Sequence, residues 1–374
     1  MYNKEKTQIK TAERMRSLES ATPKLKDIAE RLGLSVGTVQ RALHNKGGYS
    51  RETQELVLRE AARCGYVANA AASALRRAPI NLIVVFPEPK GDDRYFFQYV
   101  WQGVEKACSD LALYNIRIIR RYAGPGADST LKVLREILCE PEGSVQGIIT
   151  NAFNEIDFQQ EIEKFSERKI PVFLVNAVKE TSKGLYYASA NQCVGRLAAD
   201  MFASFQDNRP GKVLVLGGSH SNVRQAARVS DFYRVMQERC PNLTLIEAHL
   251  YHSREQIEAL VCDYLRAFED LCGVYAVSAR ETLAMCEAVA ACPCKERKLF
   301  TVGTDVFPEL LPYFESGVLT ASIYQYPVQQ AYTAVKTLVN HITNIDIGSA
   351  PLKFPIAAVF RSNASSFCGE ALLI

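Results

Sequence analysis

An α/β fold carrying a small all-α head is predicted by three observations. From Asn81 onward, short β-branched runs alternate with amphipathic helical stretches. Between Leu25 and Cys64 the strands give way to three short helical patterns. Charge divides in the same place: ten basic and five acidic residues leave 23–78 at +5, residues 1–22 carry +2, and 79–374 carry −4. A basic head fits phosphate binding, and an acidic body stays off nucleic acid.

The head is read element by element. Leu25, Ile28, Ala29 and Leu32 fall at i, i+3, i+4 and i+7 and form one apolar helical face. Asp27 lies in the first turn, where the helix dipole favours an anion. Small Ala29 admits a second helix at close range, and Gly33 can take the left-handed conformation that ends a helix. Ser35 is a good N-cap for the next helix. Val39 and Leu43 then face the core, which leaves Val36, Gly37, Gln40, Arg41 and Asn45 on other faces. Ser50 caps a third helix, whose Val57, Ala61 and Cys64 close a three-helix core.

After this comes an Ala-rich stretch, Asn69 to Arg77, with one large apolar residue, Leu75, beside Arg76 and Arg77. Alone it is too short for a stable helix in water. Two copies side by side on DNA would hold each other, with Leu75 as a wedge between base steps. The whole run reads as a helix-turn-helix DNA reader with an arm for the minor groove. The plainer reading is an ordinary helical domain with solvated charges, and the arm shifts the balance away from it.

Composition bounds the rest. With 374 residues, 48% apolar and 23% charged, the chain is expected to be a globular head plus one large or two medium domains. No apolar run reaches the roughly 18 residues of a membrane span. The polar start MYNKEKTQIK does not read as a signal peptide, so a cytoplasmic protein is expected. Eleven scattered cysteines, an odd number, read as free thiols rather than a disulfide framework. Cys292-Pro293-Cys294 lacks the further ligands that a zinc site needs, so no metal and no cofactor is expected. Residues 1–22 read as a polar extension.

The body alternates regularly. Strand-like runs occupy 82–87, 116–122, 145–150, 171–176, 212–218, 243–251, 273–278, 299–304 and 319–325. Helical stretches fall at 96–114, 128–139, 156–168, 192–206, 222–239, 253–270, 280–291 and 327–343. Continuous β-branched runs between amphipathic helices imply parallel sheets covered on both faces. Such sheets bind ligands at the carboxyl ends of their strands. A neutral polyol or sugar needs planar multidentate hydrogen-bonding groups and an aromatic face. Asp305 and Arg228 supply charged groups, Gln325 an amide, and Tyr95, Phe96, Phe97 and Trp101 are candidate faces. Each one taken alone also reads as a salt bridge, a helix-end contact or core.

These residues carry a resemblance. Asp27-Ile28-Ala29, then Ser35-Val36-Gly37-Thr38-Val39 with Arg41, then Gly65-Tyr66 and Leu75 resemble the DNA-binding head of the lactose-repressor family of bacterial regulators. The resemblance implies that Val36, Gly37 and Arg41 face base edges in the major groove, with Arg41 the guanine reader. It implies phosphate contacts from Ser35, Thr38, Asn45 and Ser50, and a minor-groove role for Leu75. Gln40 replaces a usual serine, Ala68 a usual proline, and Lys24 a common capping Ser or Thr.

Residues 80–374 resemble the periplasmic-binding-protein-like effector domain of the same family. The anchors are Phe300 to Asp305, then Leu319 to Gln325 with Pro327 and Gln330, and a second set at Ala227, Arg228, Asp231 and Phe232. This implies two α/β subdomains, crossed near 178, 325 and 345, with a ligand cleft between them. The expected division is head 23–67, hinge helix and linker 68–79, one subdomain of 80–178 plus 326–343, and another of 179–325 plus 344–374. By resemblance Arg228, Asp305 and Gln325 line the cleft, with Phe96 and Ser278 counted beside them. Gly303 fits a backbone that turns tightly at its strand end. Ser278-Ala279 stands where the family often has Asn-Asp, Ala190-Asn191 where it often has Asp-Asn, and Asp231 where Gly is usual.

The resulting expectation is a transcriptional regulator, a repressor type, that binds a pseudo-palindromic double-stranded operator as a homodimer. A sugar-like effector would change subdomain closure and so the spacing of the heads. A solute-binding protein without DNA function is the alternative. An enzyme is a third class, but Gly217 to Ser221 lacks both the phosphate-loop and the nucleophile-elbow patterns. The end of the chain shows no heptad pattern for a tetramerising coiled coil.

Overall fold

The structure, a computed structural model, describes residues 24–43, 47–64, 78–124, 127–151, 155–177, 181–183, 185–190, 193–205, 209–219, 222–248, 253–292, 298–343 and 354–368. The chain forms two compact units that divide between Arg77 and Ala78. Asn45 and Leu75 lie outside the described residues, as do 1–22 and most of the expected hinge.

In the first unit, helix α1 (Leu25–Leu32) ends at Gly33, whose φ of 62° is left-handed, and α2 (Val36–Leu43) follows at once. The amide of Thr38 donates to Ser35 Oγ at 3.0 Å, so Ser35 is the cap the sequence suggests. Helix α3 (Arg51–Arg63) opens on Ser50, whose Oγ accepts from the Thr53 amide at 3.2 Å. Lys24 at the N-cap has no hydroxyl to accept from the first turn, but its own amide donates to Asp27 Oδ2 at 2.7 Å, the reciprocal half of a capping box. Ile28, Ala29, Val39, Ala42, Val57 and Ala61 are buried together, with Leu25, Leu32, Leu43 and Cys64 packed around them. Ala42 is the core position that the periodic reading omitted.

The second unit holds two six-stranded sheets. The first runs in the order β2 (Ile116–Ala123), β1 (Ile80–Pro87), β3 (Gly147–Asn151), β4 (Val172–Ala177), β6 (Tyr186–Ala190), β5 (Thr181–Lys183). The second runs β12 (Ala357–Phe360), β11 (Ala321–Tyr324), β10 (Phe300–Thr304), β9 (Leu271–Ala276), β7 (Gly211–Leu216), β8 (Leu243–Ala248). All pairings are parallel except the edge pairs β5–β6 and β11–β12.

Strand β1 shows why its sequence is continuously apolar. Leu82, Val84 and Phe86 join one core with helices α4 (Arg94–Asp110) and α12 (Pro327–Thr343), while Ile83 and Val85 join another with α5 (Ala127–Leu138) and α6 (Glu155–Glu167). A strand buried on both faces cannot alternate with polar residues. The second sheet is covered by α7 (Val194–Phe205) and α8 (Val223–Arg239) on one face. On the other lie α9 (Arg254–Ala267), α10 (Ala279–Ala291) and the short α11 (Leu311–Ser316).

We call each sheet with its helices a lobe. The chain leaves the first lobe, returns to it as α12, and then adds β12 to the second sheet. The first sheet keeps β5 and β6, so it extends to Ala190 rather than ending at 178. Residues 181–183 and 186–190 form these two short strands, which the sequence reading did not anticipate. Among the described residues, no helix is long and apolar enough to cross a membrane.

Candidate functional site

The carboxyl ends of β10 and β11 bring three expected residues together. Asp305 follows β10 with φ of 71°, a left-handed conformation that Asp tolerates better than most residues. Its amide donates to Ile323 O at 2.9 Å and its carbonyl accepts from Ser322 Oγ at 2.6 Å, so the backbone is held from the neighbouring strand. Gln325 Nε2 donates to Asp305 Oδ1 at 2.7 Å. The Gln325 carbonyl is itself fixed by Gln330 Nε2 at 2.9 Å. Arg228, on α8, donates through Nη2 to Gln325 Oε1 and through Nη1 to Val277 O at 2.7 Å. The result is a relay from guanidinium to amide to carboxylate. Burial pushes the Asp305 carboxyl up to about 6, against the opposing pull of Arg228 and the Gln325 bond.

Two close approaches set this geometry. A Cβ at Gly195 on α7 would meet the Arg228 carbonyl oxygen at 2.0 Å, so a glycine lets the two helices approach at the residue that carries the guanidinium. A Cβ at Gly303 would meet Thr282 Cγ2 at 2.3 Å. Gly303 therefore serves the packing of β10 against α10. The tight turn expected there falls instead at Asp305, where φ is positive.

A second polar group sits at the end of β9. Glu281 is fully buried near the start of α10, yet its carboxylate accepts from Arg280 Nη2 at 2.9 Å and Nε at 3.2 Å, and also contacts Ser278 Oγ. Burial raises the Glu281 carboxyl while Arg280 opposes it. The expected ligand residue Ser278 thus spends its hydroxyl inside the protein. Thr282 ties the two groups together: its Oγ1 donates to Ser278 O at 2.8 Å and accepts from the Thr304 amide at 2.8 Å.

The aromatic candidates separate. Trp101 is core: its indole N–H donates to Pro87 O at 3.2 Å and its ring meets Phe86 edge-on at 5.6 Å. Phe97 is buried against Phe86. Both are corrected from cleft faces to first-lobe packing, because they lie on the α4 stripe that faces the sheet. Tyr95 is buried too, but against Phe307 of the second lobe. Phe96 is half-buried with its ring edge-on to Phe97 at 5.3 Å. Two open cavities, of about 570 Å³ beside Gln146 and Pro171 and about 550 Å³ beside Leu299 and Val318, lie at the opposite, amino ends of the strands.

In the first unit, Ser35, Val36, Gly37, Gln40, Arg41 and Ser50 are exposed and Thr38 is half-buried. Ser35 Oγ also lies 2.8 Å from Thr38 Oγ1, so both hydroxyls already serve the cap. An exposed arginine and an exposed Val-Gly pair thus stand on the second of two helices joined by a tight turn.

A family model described as a periplasmic binding protein domain matches residues 83–346. The chain belongs to this family. No curated protein matches it. A solved solute-binding protein of an ABC transporter from Burkholderia graminis, in complex with D-arabinose, superposes with a TM-score of 0.67 at 16% identity, covering 79% of this chain and 100% of that one. The glucose-galactose binding protein GanP from Geobacillus stearothermophilus does so at 0.64 and 21% identity, covering 77% and 99%. A solute-binding protein from Bacillus halodurans with bound myo-inositol gives 0.65 and 17%, covering 78% and 97%. Identities this low establish the shared fold of the binding-protein body.

The Arg280–Glu281 pair escaped the sequence reading. A charged pair at a helix start ordinarily reads as solvated, and only burial distinguishes it. Among the ten described cysteines all are free, three of them inside the second-lobe core at Cys240, Cys286 and Cys292. The Gly217-Gly218 segment holds its Ser219 amide on Gln225 Oε1 at 2.8 Å, while His220 and Ser221 lie outside the described residues.

Proposed function

We propose that the body binds a small neutral sugar or polyol at the strand ends of the second lobe, and that the head makes this binding a control on DNA. The observation that carries the ligand half is the Arg228–Gln325–Asp305 relay. It offers a carboxylate acceptor, an amide and guanidinium donors in one fixed array, and ligand hydroxyls match that array as paired donors and acceptors. The sugar and polyol ligands of the solved relatives support this class. Phe96 is the aromatic residue left to cover a ring face.

The DNA half rests on α1 and α2 meeting at left-handed Gly33, with Val36, Gly37 and Arg41 exposed on α2. In this reading α2 enters the major groove, and Arg41 pairs with O6 and N7 of a guanine. Ser35, Thr38, Asn45 and Ser50 approach phosphates and Leu75 enters the minor groove. A homodimer reads a pseudo-palindromic operator in the cytoplasm, and ligand affinity that differs between two lobe arrangements shifts the heads.

A second reading has its own support. Two of the solved relatives are described as solute-binding proteins and the third as a glucose-galactose binding protein, which favours a binding protein without DNA function, and they cover 77–79% of this chain. Selection of bound duplexes from a random library, with full-length protein at a fixed salt concentration and with pooled sugars present or absent, decides between the two. An enriched inverted repeat supports the regulator. Sugar binding by calorimetry with no enrichment in either arm supports the solute-binding protein. Arg41→Ala is expected to weaken specific binding by about 1–3 kcal/mol and relax one base position per half-site. An equal loss on every sequence would reduce Arg41 to a phosphate contact.

A further inference from the structure

Helix α4 has two buried faces. Phe97, Val100, Trp101, Val104 and Ala107 pack into the first lobe, as a helix covering its own sheet should. Tyr95 and Tyr99, one turn apart on the other side, belong instead to the core of the second lobe, with Val306, Phe307 and Leu310. Tyr95 is 1% exposed, and its ring stacks on Phe307 at 4.4 Å with the planes 26° apart. Arg94 lies over the same tyrosine ring at 4.1 Å, donates to its hydroxyl at 2.6 Å, and reaches Glu309 of the second lobe at 3.3 Å. Asp93 lies within electrostatic range of Arg280 at the start of α10. Two consecutive side chains at the start of α4, Arg94 and Tyr95, therefore meet Glu309 and Phe307 of the second lobe. These contacts are additional to the chain crossings.

We propose that the first turn of α4 is a clamp between the lobes, with Tyr95 on Phe307 as its grip and Arg94 as the brace that holds the tyrosine ring in place. The ion pair to Glu309 is about two-fifths exposed at both ends and so contributes little. A stacked pair removed from water contributes more. Separation of the lobes must expose Tyr95, so the clamp sets how often the body opens. The inference is independent of what the strand-end site binds and of whether the head reads DNA.

Hydrogen exchange of the full chain, read by mass spectrometry, tests it without a ligand. Tyr95→Ala is expected to speed exchange about 2- to 12-fold in both 91–97 and 305–311, the range a stacked aromatic pair supports. Phe307→Ala should do the same, and the double variant should add little to either single change. Tyr95→Phe, which keeps the ring, should stay near the parent. Amides of β1 and β7 should not change. Should Tyr95→Ala lose the fold, Phe307→Leu removes the stacking partner and keeps an apolar side chain, so it carries the same expectation. Faster exchange confined to the substituted lobe, or single effects that simply multiply in the double variant, would overturn the clamp.

Discussion

Asp305 and Glu281 are both buried carboxyls at the ends of adjacent strands, yet they are held differently. Glu281 touches a guanidinium and a hydroxyl directly, so its acceptors are spent within the protein. Asp305 touches an amide, and its guanidinium stands one residue further along the relay. The first arrangement is a closed structural pair. The second leaves a carboxylate with acceptor capacity unspent. The contrast favours β10 and β11 over the Ser278 corner for the proposed ligand chemistry, although both corners look alike in sequence.

Breaking the closed pair should have the largest effect. Arg280→Ala strands a buried carboxylate and is expected to cost about 3–4 kcal/mol at neutral pH by urea unfolding, at the low end for a buried pair because Arg280 is 30% exposed. The loss should shrink at acidic pH, where Glu281 takes up a proton. A loss that does not vary with pH would mean that Glu281 is not the stranded group.

Asp305→Asn should act in the opposite direction. A carboxyl raised to about 6 binds its proton more tightly folded than unfolded, so its contribution to stability falls as pH rises from about 4 to 6 and stays low above. The variant should remove that slope and be more stable at pH 7, by about 2–3 kcal/mol at most. It should also lose sugar binding in calorimetry. Retained binding would place the ligand elsewhere.

Gly303→Ala sharpens the comparison, because Thr282 joins the two corners. Its Cβ would push Thr282 and should cost about 1–3 kcal/mol while weakening ligand binding through Asp305. Unchanged binding would mean that the corners are independent. Trp101→Phe is the smallest change and the control. Loss of the Pro87 bond should cost about 1 kcal/mol with no effect on ligand affinity.

Much of this was legible beforehand for physical reasons. Nine strand runs and eight body helices were readable from their patterns, because the central strands are apolar on both faces and the helices that cover them on one. Three short strands, β5, β6 and β12, and the short α11 were not. Asp305 and Gln325 drew notice because they fall at the carboxyl ends of parallel strands, whereas Arg228, inside α8, was singled out by the resemblance. Trp101 misled, because an aromatic residue looks the same in sequence whether it covers a ligand or its own sheet.

The sequence by itself determined the alternation of elements, the caps at Ser35 and Ser50, the helix end at Gly33 and the division of charge, since each depends on neighbours within a few residues. Only the tertiary structure decided that Glu281 is paired and Asp305 relayed, that Gly303 makes room for Thr282, and that Tyr95 belongs to the core of the other lobe. Those outcomes depend on distances between segments up to about 200 residues apart in the chain, and burial, which sets the strength of every charge and ring contact among them, exists only once both lobes are folded.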